Sequence, residues 1–442
     1  MTKPLIINKK IKFFNKIIKV DGDKSLSIRW VLLASQANGK SKAFNLLMSE
    51  DVLAAIESIK KLGIKVKIFK NYCEIRGNGI NGFNYKNNLI LNAKNSGTLG
   101  RLILGLLIRS SKKIKLIGDR SLSKRDFSRV TMPLNKFGAK FWYKFKNRLP
   151  LTILGSEFPK GINYFENKGS AQCKSSVMLA ALNTSEVTSI KAKKSRNHTE
   201  LLFKYLKIPL KIKKTKKYDF IKIKQPDEIK AFNYQIPGDI SSSAFFMVLT
   251  TLTKNSKLLI KNVNINPSRT GVIKILKRMG AKISLKNKKV YKGEKISDIL
   301  IKSPVNLKAI NCPSELNSSV IDELLIVFLA AAKAKGVSYF KNISELNQKE
   351  SPRLNWGSKI LNMMGVKTKL TKNSIKIYGQ PNLQIKKKII IKSFLKDHRI
   401  FMMSTIAALT CGGQWNIYNK DSINTSFPSF LKIIKQINSK AL

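Results

Sequence analysis

Six consecutive residues near the start of the chain, Lys24-Ser-Leu-Ser-Ile-Arg29, set a lysine, two serine hydroxyls and an arginine directly before the apolar run Trp30–Ala34. Asp23 or Ser25 can cap a helix beginning here. At such a start the backbone N–H groups lack partners and the helix dipole is positive, so an anion is favoured. Lys24 adds a point charge and Arg29 a planar fork that suits carboxylate or phosphate. The pattern recurs. Asn95-Ser-Gly-Thr-Leu-Gly-Arg101 precedes the apolar run Leu102–Ile108, and Gly118-Asp-Arg-Ser-Leu-Ser-Lys-Arg125 follows a short strand pattern at Ile114–Ile117. Gly169-Ser-Ala-Gln-Cys-Lys174 and Pro237-Gly-Asp-Ile-Ser-Ser-Ser243 open apolar helices, and Lys349-Glu-Ser-Pro-Arg353 and Asp397-His-Arg399 each precede a helical pattern. One such stretch is an ordinary capped helix end. Recurring through both halves of the chain, they predict helix N-termini that converge on a shared cleft able to hold several anionic groups.

The elements that must position these stretches form an internal repeat. A helical apolar pattern ends in a hydrophobic residue and a glycine, and a strand pattern follows. The copies are Ile59-Lys-Lys-Leu-Gly63-Ile-Lys-Val, Leu134-Asn-Lys-Phe-Gly138-Ala-Lys-Phe, Leu276-Lys-Arg-Met-Gly280-Ala-Lys-Ile and Leu361-Asn-Met-Met-Gly365-Val-Lys-Thr. A weaker copy, Phe203-Lys-Tyr-Leu-Lys207-Ile-Pro-Leu, lacks the glycine. Glycine suits a left-handed helix C-cap, and the alternation after it reads as a strand. Positions 63, 138, 207, 280 and 365 lie 75, 69, 73 and 85 residues apart, and a sixth unit runs through Phe430–Ile437. Units of this size are too long for a solenoid and suggest two domains of three α/β units each. The turn signal at Tyr234-Gln-Ile-Pro-Gly-Asp239 is the best boundary.

With 442 residues, 43% hydrophobic and 25% charged, the composition is that of a soluble globular protein with sizeable cores. No apolar run reaches the roughly 18 residues of a membrane span, and no targeting segment is read at the N-terminus. The four cysteines form no CxxC and there are two histidines, so a metal site is not expected and a reducing, cytoplasmic location is. The net charge of +59 suggests nucleic acid at first sight. Yet 71 of the 84 basic residues are lysine and 13 arginine, whereas base readers lean on arginine. The lysines are spread evenly among Ile, Asn and Phe, a bias that A/T-rich codons explain; steering of anionic substrates is a second explanation. Against this background the arginines stand out. Arg29, Arg101, Arg120, Arg125, Arg129, Arg196, Arg269, Arg353 and Arg399 all fall in the short polar stretches.

Taken together, these stretches resemble the enolpyruvyl transferase family, and within it the 5-enolpyruvylshikimate-3-phosphate synthases (3-phosphoshikimate 1-carboxyvinyltransferases). The resemblance rests on eleven motifs in the family's order, from Asp21 to Phe430. They are DKSLSIR (23–29), NSGTLGR (95–101), GDRSLSKR (118–125), GSAQCKS (169–175), SRNHTE (195–200), PGDISSSAFF (237–246), NPSRTG (266–271), IDE (321–323), KESPR (349–353), DHR (397–399) and TSFPSF (425–430). It implies an α/β (α+β) fold of two similar domains, each three βαβαββ units with the helices buried inside the sheets, an inside-out α/β barrel with a six-fold pseudo-repeat. Carried over, residues 20–236 form one domain, and residues 1–19 with 237–442 the other. In this family the two domains close on the substrates.

The implied reaction moves the enolpyruvyl group of phosphoenolpyruvate to the 5-hydroxyl of shikimate 3-phosphate and releases phosphate. By motif, Asp322 is the base, Glu350 the acid/base at the methylene, and Lys24 a catalytic residue between both substrates. Lys24, Ser25, Arg29, Ser170, Ala171, Gln172, Ser195, Asp322 and Lys349 would bind shikimate 3-phosphate. Lys24, Gly97, Arg125, Gln172, Arg353 and Arg399 would bind phosphoenolpyruvate, with arginine supplying the bidentate fork. Asp322 could alternatively cap the helix at Leu324–Ala332, and His198 and His398 read as structural hydrogen-bonders. No metal or cofactor is expected, no specific nucleic acid or membrane partner, and a monomer. Gly97 is the position where, in this family, a larger residue screens out glyphosate, so glyphosate is expected to compete with phosphoenolpyruvate. The sequence departs from the family at Pro352, usually Asp, at Asp126, usually Pro, and at Arg196-Asn197, more usually Arg-Asp. Pro352 suits the first turn of a helix. The sister enzyme that acts on UDP-N-acetylglucosamine typically carries a reactive cysteine in the loop matching Gly118–Arg129, where this chain has none.

Overall fold

Five helix-to-strand joints of the repeat turn through a left-handed residue, and four of them close with the same hydrogen bond. In the computed structural model, which describes residues 3–439, Gly63, Gly138, Gly280 and Gly365 have φ of +87°, +103°, +98° and +86°. The left-handed turn carries the next amide back to the carbonyl five residues earlier, as in Ile64 N to Ile59 O (3.0 Å), Ala281 N to Leu276 O (2.8 Å) and Val366 N to Leu361 O (2.9 Å). The copy without glycine keeps the geometry. Lys207 itself adopts φ +58°, and Ile208 N bonds Phe203 O at 3.0 Å.

The chain forms two compact units. One contains Gly22–Ile236 together with Lys292–Glu294; the other contains the residues up to Asp21, Pro237–Tyr291 and everything from Lys295 onward. In the first unit three four-stranded sheets share one plan. Leu89–Asn92 runs parallel to Ile114–Ile117, which is antiparallel to Arg148–Leu154, itself antiparallel to Lys140–Phe145. The sheets built on Asn38–Phe44 and on Thr188–Lys193 repeat that order of parallel, antiparallel, antiparallel. In the second unit, Asn15–Ile18 pairs in parallel with Lys257–Asn264. Lys388–Ile391 likewise pairs with Gln414–Ile417, whose other edge takes Leu5–Ile7 antiparallel. The sheet of Gly336–Phe340, Ile375–Gly379 and Thr368–Leu370 carries only isolated parallel bridges, Lys308 to Lys335 and Asn311 to Tyr339, where the others have their parallel partner.

The helices inside these sheets are buried on nearly every side and are mostly apolar beyond their first turns. Every residue of Leu324–Ala332 and of His398–Cys411 is buried, as are ten of the twelve in Lys24–Ser35. Hydroxyl-bearing residues survive there by bonding their own helix. Thr250, Thr251, Thr405 and Thr410 donate to the carbonyl four residues back at 2.8–2.9 Å. In the first unit the helices Gly97–Leu106 and Ala171–Ala180 pack so closely that a Cβ on Gly105 would lie 2.2 Å from the Ser176 carbonyl oxygen. The polar residues at the starts of these helices are therefore held by a rigid apolar frame. No helix among the described residues is long and apolar enough to cross a membrane.

Candidate active site

Each unit carries its own cluster of the residues singled out above. In the first unit, Asp23 caps the helix Lys24–Ser35 by accepting from Leu26 N at 2.9 Å. Lys24 Nζ is 2.9 Å from Asp51 Oδ2, and Lys24 retains partial exposure. Arg29 is buried. Its Nε donates to Thr199 Oγ1 (2.8 Å), Nη1 to the Ser25 carbonyl (3.0 Å) and Nη2 to Ser175 Oγ (3.0 Å). The helix Gly97–Leu106 is capped by Ser96, and the helix Ala171–Ala180 by Ser170, which accepts from Cys173 N at 3.3 Å. Ala171 is thus the first residue of a helix whose free N–H groups face the start of the segment. The Ser195 hydroxyl oxygen is buried and has no hydrogen-bond partner among the described residues.

Gly97, Arg101, Arg125 and Gln172 come together. Arg101 Nη1 donates to Gln172 Oε1 at 2.8 Å, and Gln172 Nε2 to Thr98 Oγ1 at 3.0 Å, so the glutamine is fixed from both sides. A Cβ on Gly97 would lie 2.8 Å from Arg125 Nη1 and 2.9 Å from Arg101 Nη1. The absence of a side chain is what lets two guanidinium groups close over that helix start. Burial and, next, the neighbouring Arg125 charge push the Arg101 guanidinium down to about 10. The cluster is short of negative charge, the condition a bound anion relieves. Asp126 lies at the edge of this cluster, its carbonyl accepting from Arg101 Nη2 at 3.5 Å. Its Oδ1 accepts from Ser128 N (2.8 Å) and Ser128 Oγ (2.6 Å), starting the helix Ser128–Lys136.

The cluster of the second unit is built around Arg353. Its Nε donates to Asp397 Oδ2 (2.8 Å) and its Nη2 to Asp397 Oδ1 (3.1 Å), a two-pronged contact. Nη2 also meets Glu350 Oε2, and Nη1 lies 3.7 Å from Asp322 Oδ1. Lys349 Nζ is 3.2 Å from the same Asp322 oxygen. Burial alone pushes the Arg353 guanidinium down, but the carboxylates of Asp397, Glu350 and Asp322 outweigh it and drive it well above its ordinary value. Asp322 does not cap the following helix; Glu323 occupies that position without a side-chain cap. Pro352 stands at the N-cap of Arg353–Met363, one place before the first turn, and accepts from Trp356 N at 3.0 Å through its carbonyl. Arg399 is buried at the start of His398–Cys411, and its Nη1 has no hydrogen-bond partner among the described residues.

Several residues that matter here were not assigned roles in the sequence. Asp397 grips Arg353, accepts from Ser351 Oγ (2.8 Å) and caps the next helix at Arg399 N (3.0 Å), all while fully buried. Its signal was its place in Asp397-His-Arg399 ahead of a helix. Thr199 and Ser175, which hold Arg29, lie in motifs already noted, whereas Asp51, the partner of Lys24, sits in a helix first turn with no motif to mark it. His198 Nδ1 is 2.6 Å from Glu294 Oε1, both fully buried, and His398 Nδ1 is 3.2 Å from Thr425 Oγ1. Two further motifs form a structural clamp. Arg269 Nη2 donates to Asp239 Oδ1 (3.1 Å) and Ser241 Oγ (2.7 Å), and Asp239 caps Ile240–Leu252. No group of three or more His, Cys, Asp or Glu among the described residues could hold a metal ion.

Known proteins are similar to this chain over nearly its whole length. A 3-phosphoshikimate 1-carboxyvinyltransferase of Ruthia magnifica subsp. Calyptogena magnifica is 40% identical over 421 residues, spanning 95% of this chain and 94% of that protein. Another from Thermoanaerobacter sp. (strain X514) is 37% identical over 425 residues, spanning 96% and 98%. The solved structure of an EPSP synthase from Acinetobacter baumannii superposes with a TM-score of 0.86 at 33% identity, covering 99% of this chain and 98% of the other. The family model of EPSP synthase (3-phosphoshikimate 1-carboxyvinyltransferase) matches residues 8–434, and the chain belongs to that family.

Proposed function

We infer that this chain carries out its family's reaction, the transfer of the enolpyruvyl group of phosphoenolpyruvate to the 5-hydroxyl of shikimate 3-phosphate. The observation that carries this reading is the match to the family along nearly the whole chain. The chemistry of both clusters supports it. The substrates are a phosphorylated carboxylate and a second anion, and the residues gathered are guanidinium, ammonium, hydroxyl and helix-start N–H groups with a few carboxylates among them.

In the assignment we propose, Ser25, Arg29, Ser170, Ala171, Gln172 and Ser195 hold shikimate 3-phosphate, and Gly97, Arg125, Gln172, Arg353 and Arg399 hold phosphoenolpyruvate. Lys24 serves both, and Lys349 sits with the reacting hydroxyl. The hydroxyl oxygen forms a bond to C2 of phosphoenolpyruvate while its proton passes to Asp322, and Glu350 gives a proton to the methylene carbon. The bond from C2 to the phosphate oxygen then breaks, Glu350 takes a proton back from the methyl group, and the hydroxyl's proton leaves with phosphate. The contact of Asp322 with Lys349, 3.2 Å from ammonium to carboxylate, supports placing both beside the reacting hydroxyl. This chemistry requires no cofactor. All the assigned residues come from one chain, and we propose that it acts as a monomer, in the cytoplasm.

The test is phosphate release from phosphoenolpyruvate with shikimate 3-phosphate, run beside UDP-N-acetylglucosamine. Release with the shikimate ester alone, abolished in Asp322→Ala, is the expected result. Release with the sugar nucleotide alone would overturn the assignment.

A further inference from the structure

Two buried contacts, one residue apart, tie the start of the helix Ala171–Ala180 to the start of the helix His198–Tyr205. In one, Ser175 Oγ and Thr199 Oγ1 are 2.7 Å apart and both hold Arg29. In the other, Lys174 Nζ lies 2.6 Å from Glu200 Oε1, with side-chain exposures of 0% and 4%. Neither Glu200 Oε2 nor Lys174 Nζ has a hydrogen-bond partner among the described residues, so the contact is an ion pair alone. So sparsely compensated a pair is poor value for folding alone, since an apolar pair of similar volume is commonly as stable or more so. Nor does it serve its own helix. Lys174 stands in the opening turn of Ala171–Ala180, its N–H bonded to the Ser170 carbonyl at 3.1 Å, and a cation there opposes the helix dipole. What the pair does do is join the start of one helix to the start of the next.

We propose that Lys174 and Glu200 are positioning residues for shikimate 3-phosphate. Their ion pair fixes Ser170 and Gln172, at one helix start, against Ser195 and Arg196, just before the other. The proposal rests on the functional reading above and extends it to two residues that touch no substrate.

Removing one partner strands a buried charge and risks misfolding. The test therefore uses the double variant Lys174→Met/Glu200→Leu, with Glu200→Gln as a second, near-isosteric change. Thermal unfolding is measured with shikimate 3-phosphate binding by calorimetry and KM for each substrate. The expected result is a folded double variant whose Kd and KM for shikimate 3-phosphate rise at least tenfold, while KM for phosphoenolpyruvate stays within about twofold; Glu200→Gln moves the same way by less. A folded variant that binds shikimate 3-phosphate like the wild type overturns the role of the pair, and so does an equal rise in both KM values. If the double variant does not fold, an unchanged Kd in Glu200→Gln overturns it. A wild-type protein that binds no shikimate 3-phosphate overturns the reaction itself and the pair's role with it.

Discussion

Asp397 holds Arg353 by two parallel contacts, Nε to Oδ2 at 2.8 Å and Nη2 to Oδ1 at 3.1 Å, and the same carboxylate caps the helix that begins with His398 and Arg399. One buried residue therefore sets the plane of one arginine and the backbone position of another. Asp397→Asn keeps an oxygen for the cap and for one prong but removes the charge facing a buried guanidinium. Breaking a buried pair from one side typically costs about 3–5 kcal/mol. The expected outcome is a loss of stability of that order in denaturant titration, with KM for phosphoenolpyruvate raised at least tenfold. Unchanged KM in a folded variant would sink the idea that Asp397 aims Arg353.

Gly97 owes its identity to two guanidinium groups rather than to its backbone angles. Gly97→Ala places a methyl group 2.8 Å from Arg125 Nη1 and 2.9 Å from Arg101 Nη1, too close for either to stay. Both are far ends of long side chains, so the fold survives and the charges move outward. Glyphosate, expected to compete with phosphoenolpyruvate, should lose more from this shift than the substrate does. The check is steady-state inhibition: competitive glyphosate inhibition in the wild type, and in Gly97→Ala an inhibition constant raised at least tenfold with a smaller rise in KM. Wild-type rates untouched by millimolar glyphosate at limiting phosphoenolpyruvate would refute it.

Lys207 occupies the left-handed position that glycine takes in the other copies, with φ +58°. A side chain in that region costs about 1–2 kcal/mol where glycine costs little. Lys207→Gly is therefore expected to raise stability by about 1 kcal/mol by chemical denaturation, less the entropy glycine adds to the unfolded chain. Activity should not change, since Lys207 lies at a helix end away from the assigned residues.

The repeat was legible because each copy writes its own stop signal. A glycine after a hydrophobic residue and before a strand pattern has one local meaning, and the Lys207 copy could be found only by its spacing. The helix starts were legible for the same local reason: Asp23, Ser96, Ser170 and Asp397 each cap the helix that follows. What could not be read was pairing between distant segments. Lys24 with Asp51, Arg29 with Thr199 and Arg353 with Asp397 depend on how helices pack, and no spacing rule encodes a contact 170 residues apart. Arg29 shows the consequence. Its residue type marked it as a ligand for anions, and the structure adds the three contacts within the protein, through Nε, Nη1 and Nη2, that set its plane.

Asp21 offers a prediction whose sign depends on pH. Its carboxylate accepts from Ser429 Oγ (2.7 Å) and Ser429 N (3.1 Å), which favours the charged form. Burial outweighs those bonds, and nearby Asp239 adds repulsion, so the group is raised above its ordinary value of 3.8. A carboxyl with a raised value in the folded state binds its proton more tightly there than in the unfolded chain. Its ionisation then costs nothing below about pH 3, where both states are protonated, and destabilises the fold increasingly as pH climbs through the window between the unfolded and folded values. Asp21→Asn retains an acceptor for Ser429 and removes that penalty. Measured by denaturant unfolding, the variant should match the wild type near about pH 3 and become the more stable protein by about pH 7. A wild type that gains on the variant as pH rises would mean that the bonds to Ser429 prevail over burial.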